Sequence, residues 1–312
     1  MIIRSAPADA DLLVRASRLY YLEERGQAEI ARLLRISRPG VSRLLRRARE
    51  ARIVEIRVRE TTGREDWESL RRQLGVKELQ VAAEAGIEAV GALGARWFER
   101  TVRRGDLVGL TAGTTLSAFV HAVAPARPVP VEIVPLVGTL WDTGEDYDGS
   151  FLCQELRRRT GGTHHVLSAP AVVRDGALMR SLRAEPRVRN VLERYGALDS
   201  AFLGIGVVSD DHPIAAAARA GRRRGAAALP REAVASVGSL FFDAQGRPCP
   251  SALDRRTLGI AVDELQRVPV RVGLAAGAQK RDAVLAVARA RLLDVLVIDA
   301  PLARSLNGAT QE

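Results

Sequence analysis

Residues 27–46 read QAEIARLLRISRPGVSRLLR. Five apolar positions in this stretch recur with the spacing that lets two short helices close on a third. They are Ile30, Leu34, Ile36, Val41 and Leu44. Ala31 is small at the point where the two helices would cross. This pattern of twenty residues is typical of a helix-turn-helix, whose second helix lies in the major groove of DNA.

The residues around this stretch set the predicted limits of its helices. A preceding helix ends at Gly26, a second runs over about 27–34, and a third begins near Ser37, which can act as N-cap. Pro39 stands in the first turn, where its missing N–H costs nothing. The turn departs from the usual pattern, because Arg35 stands where a positive φ favours glycine. An arginine in that conformation costs on the order of 1 kcal/mol.

Positive charge concentrates in the same region. The chain has 47 basic and 37 acidic residues, and residues 1–60 hold fourteen arginines and eight acidic residues, which is +6 of a total net charge of +10. Such a basic segment favours a polyanionic partner, although a helical hairpin whose arginines only face water would have the same composition. We predict that double-stranded DNA is contacted by Gln27, Ser37, Arg38, Ser42, Arg43, Arg46 and Arg47. Arginines early in the second helix can hydrogen-bond guanine, whereas Arg47 and Arg49 are placed for phosphate contacts.

Length and composition exclude several classes of protein. With 312 residues, of which 47% are apolar, the chain is long enough for two domains and too apolar to be disordered. No apolar run approaches the roughly 18 residues that span a bilayer, and residues 1–11 lack the apolar core of a secretory signal. Cys153 and Cys249 give no disulfide framework, and His164 and His165 lack a third ligand at metal spacing. We therefore expect a cytoplasmic protein with no membrane partner, no metal site and no cofactor.

The chain changes character after about residue 60. Residues 53–59 (IVEIRVR) alternate as a short strand and Thr61–Gly63 begin a linker, so we predict a DNA-binding domain over 1–60 and a second domain over 61–312. Apolar strands alternate with helices in the second domain, which predicts an α/β fold with a largely parallel sheet covered on both faces. Candidate strands lie at 78–82, 107–110, 129–137, 165–167, 200–205, 270–275 and 295–298.

Residues 107–116 read as a strand, a turn and the start of a helix. A helix N-terminus after a strand presents free N–H groups to an anion. In the turn from Thr111 to Thr115, Gly113 lets the backbone approach a ligand closely, and Thr114 and Thr115 add hydroxyl donors. The same residue types also suit an ordinary strand-to-helix turn, so the turn alone leaves both interpretations open.

Lys280 is a second candidate for anion binding. It opens a helix after another strand, within AGAQK (276–280). The chain has 45 arginines and only two lysines, Lys77 and Lys280, so a compact and rotatable ammonium could serve a ligand at this position. A solvated surface lysine is the alternative.

Several segments together resemble the SorC family of bacterial sugar-responsive transcriptional regulators. Beside the helix-turn-helix they include GLTAGTTL (109–116), VPLVGTL (134–140), SAPAVV (168–173), FLGIGVV (202–208), SVGSLFFDAQGRP (236–248), LGIAVDEL (258–265) and the stretch 274–306. The resemblance implies a DNA-binding regulator of carbohydrate metabolism whose second domain binds a phosphorylated sugar and forms a homodimer or homotetramer. It also implies a fold similar to ribose-5-phosphate isomerase and glucosamine-6-phosphate deaminase.

The resemblance implies effector contacts by nine residues. They are Thr111, Gly113, Thr114, Thr115, Gly138, Gly204, Gly206, Asp243 and Lys280. An aspartate in the FFDAQG turn also forms turn hydrogen bonds, so Asp243 has two possible roles. The chain departs from the family at Thr139, where a glycine is common, and this predicts a different ligand shape. It also departs at Ser150, where an asparagine is common, so the contact of that asparagine is not carried over. Arg219 and Arg222 are further candidates for a second phosphate.

A sugar-phosphate isomerase or deaminase with an appended DNA-binding module is the alternative function. Such an enzyme needs a positioned acid/base pair in its cleft. Asp243 and Lys280 could take those roles, but no second carboxylate or histidine motif accompanies them, so we predict a regulator and not an enzyme. A second domain that only assembles the protein would instead show no response to any sugar phosphate.

Overall fold

The computed structural model of the chain describes residues 7–21, 23, 25–51, 53–54, 67–140, 148–219 and 229–307. Two compact units divide the chain, Met1–Glu65 and Asp66–Glu312. Several predictions lie outside the described residues. They are most of the strand at 53–59, the linker at 61–63, the side chain of Arg49 and the contact of Arg222.

Three helices form the described part of the N-terminal unit. They are α1 (Pro7–Tyr21), α2 (Gln27–Leu34) and α3 (Arg38–Glu50). Of the predicted core positions, Ile30, Val41 and Leu44 are buried. Leu34 and Ile36 are half-buried and pack against the same cluster. Helical spacing therefore places one apolar side of each helix against the others.

The turn between α2 and α3 has the left-handed backbone conformation that is unfavourable for an arginine. Arg35 has φ 52° and ψ 45°, the left-handed region, and it ends α2 as its C-cap. The N–H of Ile36 donates to the carbonyl oxygen of Ala31 at 3.0 Å, which closes the helix end. The geometry of the turn is thus the usual one, and the arginine bears the strain of a residue with a Cβ atom at positive φ.

We expect Arg35→Gly to raise the free energy of unfolding by up to about 1 kcal/mol, because glycine removes the left-handed strain while adding some entropy to the unfolded chain. Chemical denaturation followed by circular dichroism measures the change. Arg35→Ala keeps the Cβ atom and is the matched control. Equal stabilisation by alanine would show that the arginine charge, and not its backbone conformation, sets the cost.

The second unit alternates strands with helices. Its strands are β1 (Glu78–Ala82), β2 (Leu107–Leu110), β3 (Glu132–Pro135), β4 (Thr163–His164), β5 (Ser200–Val207), β6 (Ala233–Val237), β7 (Leu240–Asp243), β8 (Val270–Ala275) and β9 (Val295–Asp299). Its helices are α4 (Trp67–Leu74), α5 (Ile87–Thr101), α6 (Thr114–Ala122), α7 (Gly149–Thr160), α8 (Gly176–Ala184), α9 (Pro186–Glu193), α10 (Pro213–Arg219), α11 (Val262–Arg267), α12 (Arg281–Arg289) and α13 (Ala300–Asn307).

The main sheet has the strand order β1-β9-β8-β5-β2-β3-β4, and every neighbouring pair in that order is parallel. The prediction of a largely parallel sheet is confirmed. Two details of the sequence prediction are wrong. The strand expected at 165–167 lies instead at Thr163–His164, and an antiparallel hairpin of β6 and β7, which was not predicted, extends from the end of β5.

Buried residues form one apolar cluster on each face of the sheet. In β5, Phe202 belongs to one cluster and Leu203 to the other, as expected when successive side chains point to opposite faces. Helices α5, α6 and α7 cover the Phe202 side, whereas α4, α12 and α13 contribute to the Leu203 side. On the Phe202 side, Gly91 in α5 lies so close to α6 that a Cβ atom would be 2.6 Å from the backbone carbon of Ala118.

Candidate functional site

The exposed side of α3 carries the predicted DNA contacts. Five of them on this helix are exposed, namely Arg38, Ser42, Arg43, Arg46 and Arg47. Arg38, Ser42 and Arg46 follow one another at intervals of four residues, so they share one side of the helix, opposite the buried Val41 and Leu44. The first turn of α3 contains no acidic residue. Its surface therefore suits a polyanion.

The two predicted contacts outside α3 have different environments. Ser37 is exposed and its Oγ accepts the N–H of Gly40 at 3.2 Å, which confirms that it is the N-cap of α3. Its hydroxyl hydrogen can still be donated to a phosphate oxygen. Gln27 is half-buried at the first position of α2. Both residues thus lie at helix N-termini, where backbone N–H groups favour anions.

A cavity of about 450 Å³ lies in the second unit, at the carboxyl ends of strands β2 and β5. Crevices at this edge of a parallel sheet are common ligand sites in α/β folds. Six of the nine predicted effector residues line it together. They are Gly113, Thr114, Thr115, Gly204, Gly206 and Lys280.

The turn between β2 and α6 forms one wall of the cavity. Gly113 has φ 127° and precedes α6 as an N-cap that offers no side-chain hydrogen bond to the first turn. Thr115 is 3% exposed, and its Oγ1 atom has no hydrogen-bond partner among the described residues. An orphaned hydroxyl beside an uncapped helix N-terminus is a favourable place for an oxyanion.

Lys280 brings a cation to the same cavity. It is half-buried at the end of the 3-10 turn Ala278–Lys280, immediately before α12. Desolvation lowers the pKa of its ammonium, and the nearby carboxylate of Asp299 raises it in part. No described residue forms an ion pair or a hydrogen bond with this ammonium, so a ligand anion could take that place.

Asp299, at the end of β9, fixes the turn that carries Lys280. Its carboxylate accepts the N–H of Gly277 at 3.0 Å, the N–H of Gly86 at 2.9 Å and the N–H of Leu302 at 3.2 Å. The residue is 1% exposed. A buried carboxylate with three backbone donors holds the segments on both sides of it in one arrangement.

Three predicted effector residues do not line the cavity. Thr111 is buried, and its Oγ1 accepts the N–H of Gly204 at 2.9 Å, which joins the ends of β2 and β5. A Cβ atom at Gly138 would lie 2.8 Å from the backbone oxygen of Ala169, so this glycine permits a close approach of two chain segments. The structure therefore assigns both residues to the framework of the site.

Asp243 is the third of these residues. Its Oδ1 accepts the N–H groups of Gln245 and Arg247, and its Oδ2 accepts Nε of Arg247 at 2.7 Å. The backbone and side chain of Arg247 together hold the pKa of the carboxyl below its usual range against the effect of burial. Of the two roles predicted for Asp243, the structure provides the turn. Arg219 likewise donates to the carbonyl oxygen of Asp210 at 2.7 Å.

Sequence reasoning missed two buried polar residues of the cavity, His212 and Ser236. The Nε2 atom of His212 lies 2.9 Å from Oγ of Ser236, and its Nδ1 accepts the N–H of Ile214 at 3.2 Å. Burial lowers the pKa of His212 to about 4. The only sequence signal was a histidine directly before Pro213, a position typical of a helix start.

The described residues contain no group of three or more His, Cys, Asp and Glu side chains that could hold a metal ion. None of the described helices is long and apolar enough to cross a membrane.

Comparison with known proteins places the chain among regulators. Residues 60–306 match Sugar-bind, a family of sugar-binding domains. The chain is 30% identical to the deoxyribonucleoside regulator of Bacillus subtilis over 307 residues, which is 95% of this chain and 96% of that one. It is 26% identical to the sorbitol operon regulator of Klebsiella pneumoniae over 309 residues, with 96% and 98% covered.

A solved structure has the same fold. The crystal structure of the full-length sorbitol operon regulator SorC from Klebsiella pneumoniae matches with a TM-score of 0.83 and 24% identity, covering 97% of this chain and 99% of that chain. The named relatives are regulators, which does not favour the enzyme alternative. The chain belongs to the SorC family of bacterial transcriptional regulators with a sugar-binding domain.

Proposed function

We propose that a phosphorylated sugar, bound in the cavity of the second unit, controls the affinity of this regulator for its DNA operator. The observation that carries the proposal is the meeting of two anion-binding features in one cavity. Lys280 forms no ion pair with any described side chain, and the uncapped N-terminus of α6 lies beside the orphaned hydroxyl of Thr115. Ammonium groups and helix N-termini both favour phosphate.

The rest of the cavity suits a sugar. Asp211 lines it and is exposed, so its carboxylate can accept hydrogen bonds from sugar hydroxyls. Apolar side chains such as Val137, Leu140 and Ile214 also line it, and they can pack against the C–H groups of a sugar chain. One ligand with a phosphate and several hydroxyls meets all these features.

Regulation requires two states of the protein. We propose that a homodimer or homotetramer presents two copies of α3 to pseudo-palindromic half-sites. The effector changes DNA affinity when it binds one quaternary arrangement better than another. The exposed arginines of α3 supply the positive charge for the DNA side.

A thermal-shift screen of the purified full chain tests the effector. The panel holds pentose, 2-deoxypentose, hexose and hexitol phosphates, since the named relatives regulate deoxyribonucleoside and sorbitol genes. Unphosphorylated sugars are the matched controls. A ligand at 100 times its Kd should add about 2.7 kcal/mol of stability. A shift with an unphosphorylated sugar alone, or no shift with any member, would contradict the proposal.

Arg43→Ala should weaken specific DNA binding by about 1–3 kcal/mol and relax the base preference at one position of the operator, because a bidentate contact to guanine is lost. Selection from random DNA followed by anisotropy titrations measures both effects. Arg15→Ala, an exposed arginine on α1, is the matched control because it removes the same charge outside the helix-turn-helix. Equal losses in the two variants, with base preference unchanged, would mean that α3 does not read the bases.

A further inference from the structure

We propose that Ser236, oriented by His212, recognises one oxygen of the sugar part of the effector by donating a hydrogen bond to it. This inference rests on the proposed function, because it assigns the second end of the same ligand. The chemical class of the ligand is a phosphorylated sugar that carries an accepting oxygen at a set distance from its phosphate.

The hydrogen bonds of His212 fix the position of its proton. The N–H of Ile214 donates to Nδ1 at 3.2 Å, so Nδ1 is the accepting nitrogen. In the neutral ring the proton is then on Nε2, which donates to Oγ of Ser236 at 2.9 Å. The hydroxyl hydrogen of Ser236 is left to donate, and no described residue accepts it.

Burial keeps the pair in this state. His212 is 8% exposed and Ser236 is 3% exposed. Because burial lowers the pKa of His212 to about 4, its ring is neutral near pH 7. Both residues nevertheless line the cavity. A buried hydroxyl hydrogen without an acceptor is costly, and a ligand oxygen would remove that cost.

Strand β5 sets the distance between the two ends of the cavity. A Cβ atom at Gly206 would lie 2.5 Å from Oγ of Ser236, whereas a Cβ atom at Gly204 would lie 3.0 Å from the backbone oxygen of Ala112, beside the start of α6. The two glycines are two positions apart and so face the same side of the sheet, separated by roughly 6–7 Å. A sugar phosphate can span that distance with its phosphate at α6 and a sugar oxygen at Ser236.

The neighbours of Ser236 make its hydrogen bond selective. Ile214, whose N–H donates to His212, lines the cavity next to the pair and is itself apolar and buried. In such a wall an analogue that lacks the accepting oxygen leaves a buried donor unpaired, which discriminates more strongly than the loss of an apolar contact. Ser236 thus selects among sugar phosphates that share the phosphate site.

Isothermal titration of Ser236→Ala with two probes tests the assignment. The first probe is the tightest sugar phosphate from the screen, for which we expect Kd to rise roughly 10- to 100-fold. The second is inorganic phosphate, for which we expect a change of less than about 2-fold, since it contacts only the other end. Ser181→Ala, which changes an exposed serine of α8 that does not line the cavity, is the matched control and should leave both constants unchanged.

His212 is a positioning residue, and a double-mutant cycle tests that role. His212→Ala should weaken binding of the sugar phosphate when Ser236 is present. It should have almost no further effect on binding in the Ser236→Ala background, because His212 acts through that hydroxyl. Additive losses would overturn the positioning role. If His212→Ala does not fold, Ser236→Ala alone decides the proposal.

The outcomes separate this inference from the proposed function. Unchanged sugar-phosphate binding in Ser236→Ala, or equal losses of sugar phosphate and inorganic phosphate, would overturn the inference and leave the phosphorylated effector standing. Failure of every phosphorylated sugar to bind the unmodified chain would overturn both.

Discussion

Lys280→Met should weaken sugar-phosphate binding by about 2–3 kcal/mol, or roughly 30- to 160-fold in Kd, because a charge-assisted hydrogen bond to phosphate is lost. Methionine has a similar length, so the change removes the charge while it keeps much of the packing. Isothermal titration gives the change in Kd. DNA affinity without effector should stay close to that of the unmodified chain, since Lys280 lies in the other unit from α3.

The other lysine of the chain provides the matched control. Lys77 is exposed, and its Nζ pairs with Asp294 at 2.9 Å, away from the cavity. Lys77→Met removes the same charge and should leave effector binding within about 2-fold. Equal losses in both variants would mean that the net charge of the protein, and not the ammonium in the cavity, attracts the ligand.

Lys280→Met should also raise the free energy of unfolding when no ligand is present. Desolvation lowers the pKa of Lys280 in the folded chain from its ordinary value of 10.5. Between the lowered value and 10.5 the unfolded chain binds more protons, so the stability of the unmodified chain rises with pH in that window. Denaturation curves should therefore show that Lys280→Met has a higher free energy of unfolding than the unmodified chain. This difference should be complete below the pH window and should disappear above it. A difference that does not change with pH would contradict this account.

Gly91→Ala should lower the free energy of unfolding by about 3 kcal/mol. Its Cβ atom would lie 2.6 Å from the carbon and 2.7 Å from the nitrogen of the Ala118–Phe119 peptide, and helix backbone cannot move aside as a flexible side chain can. Denaturant titration of the full chain measures the loss. Because α6 would be displaced, sugar-phosphate binding at its N-terminus should weaken as well.

Gly196 provides the matched control for this substitution. A Cβ atom there would meet nothing within 4 Å, so Gly196→Ala should be neutral or slightly stabilising. Equal destabilisation by the two substitutions would show that α5 and α6 do not pack as closely as described.

Local patterns predicted the elements well where one side of each is apolar. The helical spacing of Ile30, Val41 and Leu44 was enough to find α2 and α3, and apolar runs were enough to find β2, β5, β8 and β9. The hairpin of β6 and β7 was not predicted, because the apolar residues before Asp243 indicate a strand but not the strand with which it pairs. Its pairing with β5 is a tertiary contact that no local signal contains.

Some residues of the cavity were likewise predicted from the sequence, and others were not. Gly113, Thr115 and Lys280 were predicted to meet at one site because each follows a strand at a turn and the family resemblance groups them, and all three line the cavity. His212 could not, because its partner Ser236 lies 24 residues away and only the fold brings them together. Asp243 shows the converse, since the local turn already uses the carboxylate that the family resemblance assigned to a sugar.

The three backbone N–H groups that donate to Asp299 bear on the affinity that a ligand of the cavity would have. Because the turn before Lys280 is already held by a buried carboxylate, the cationic wall keeps its form before a ligand arrives. Little conformational entropy is then lost on that side, and more of the contact energy appears as affinity. If the cavity binds an effector as proposed, we expect the wall at Lys280 to select it by a fixed shape, and we expect a conformational change that alters DNA affinity to involve another side of the cavity.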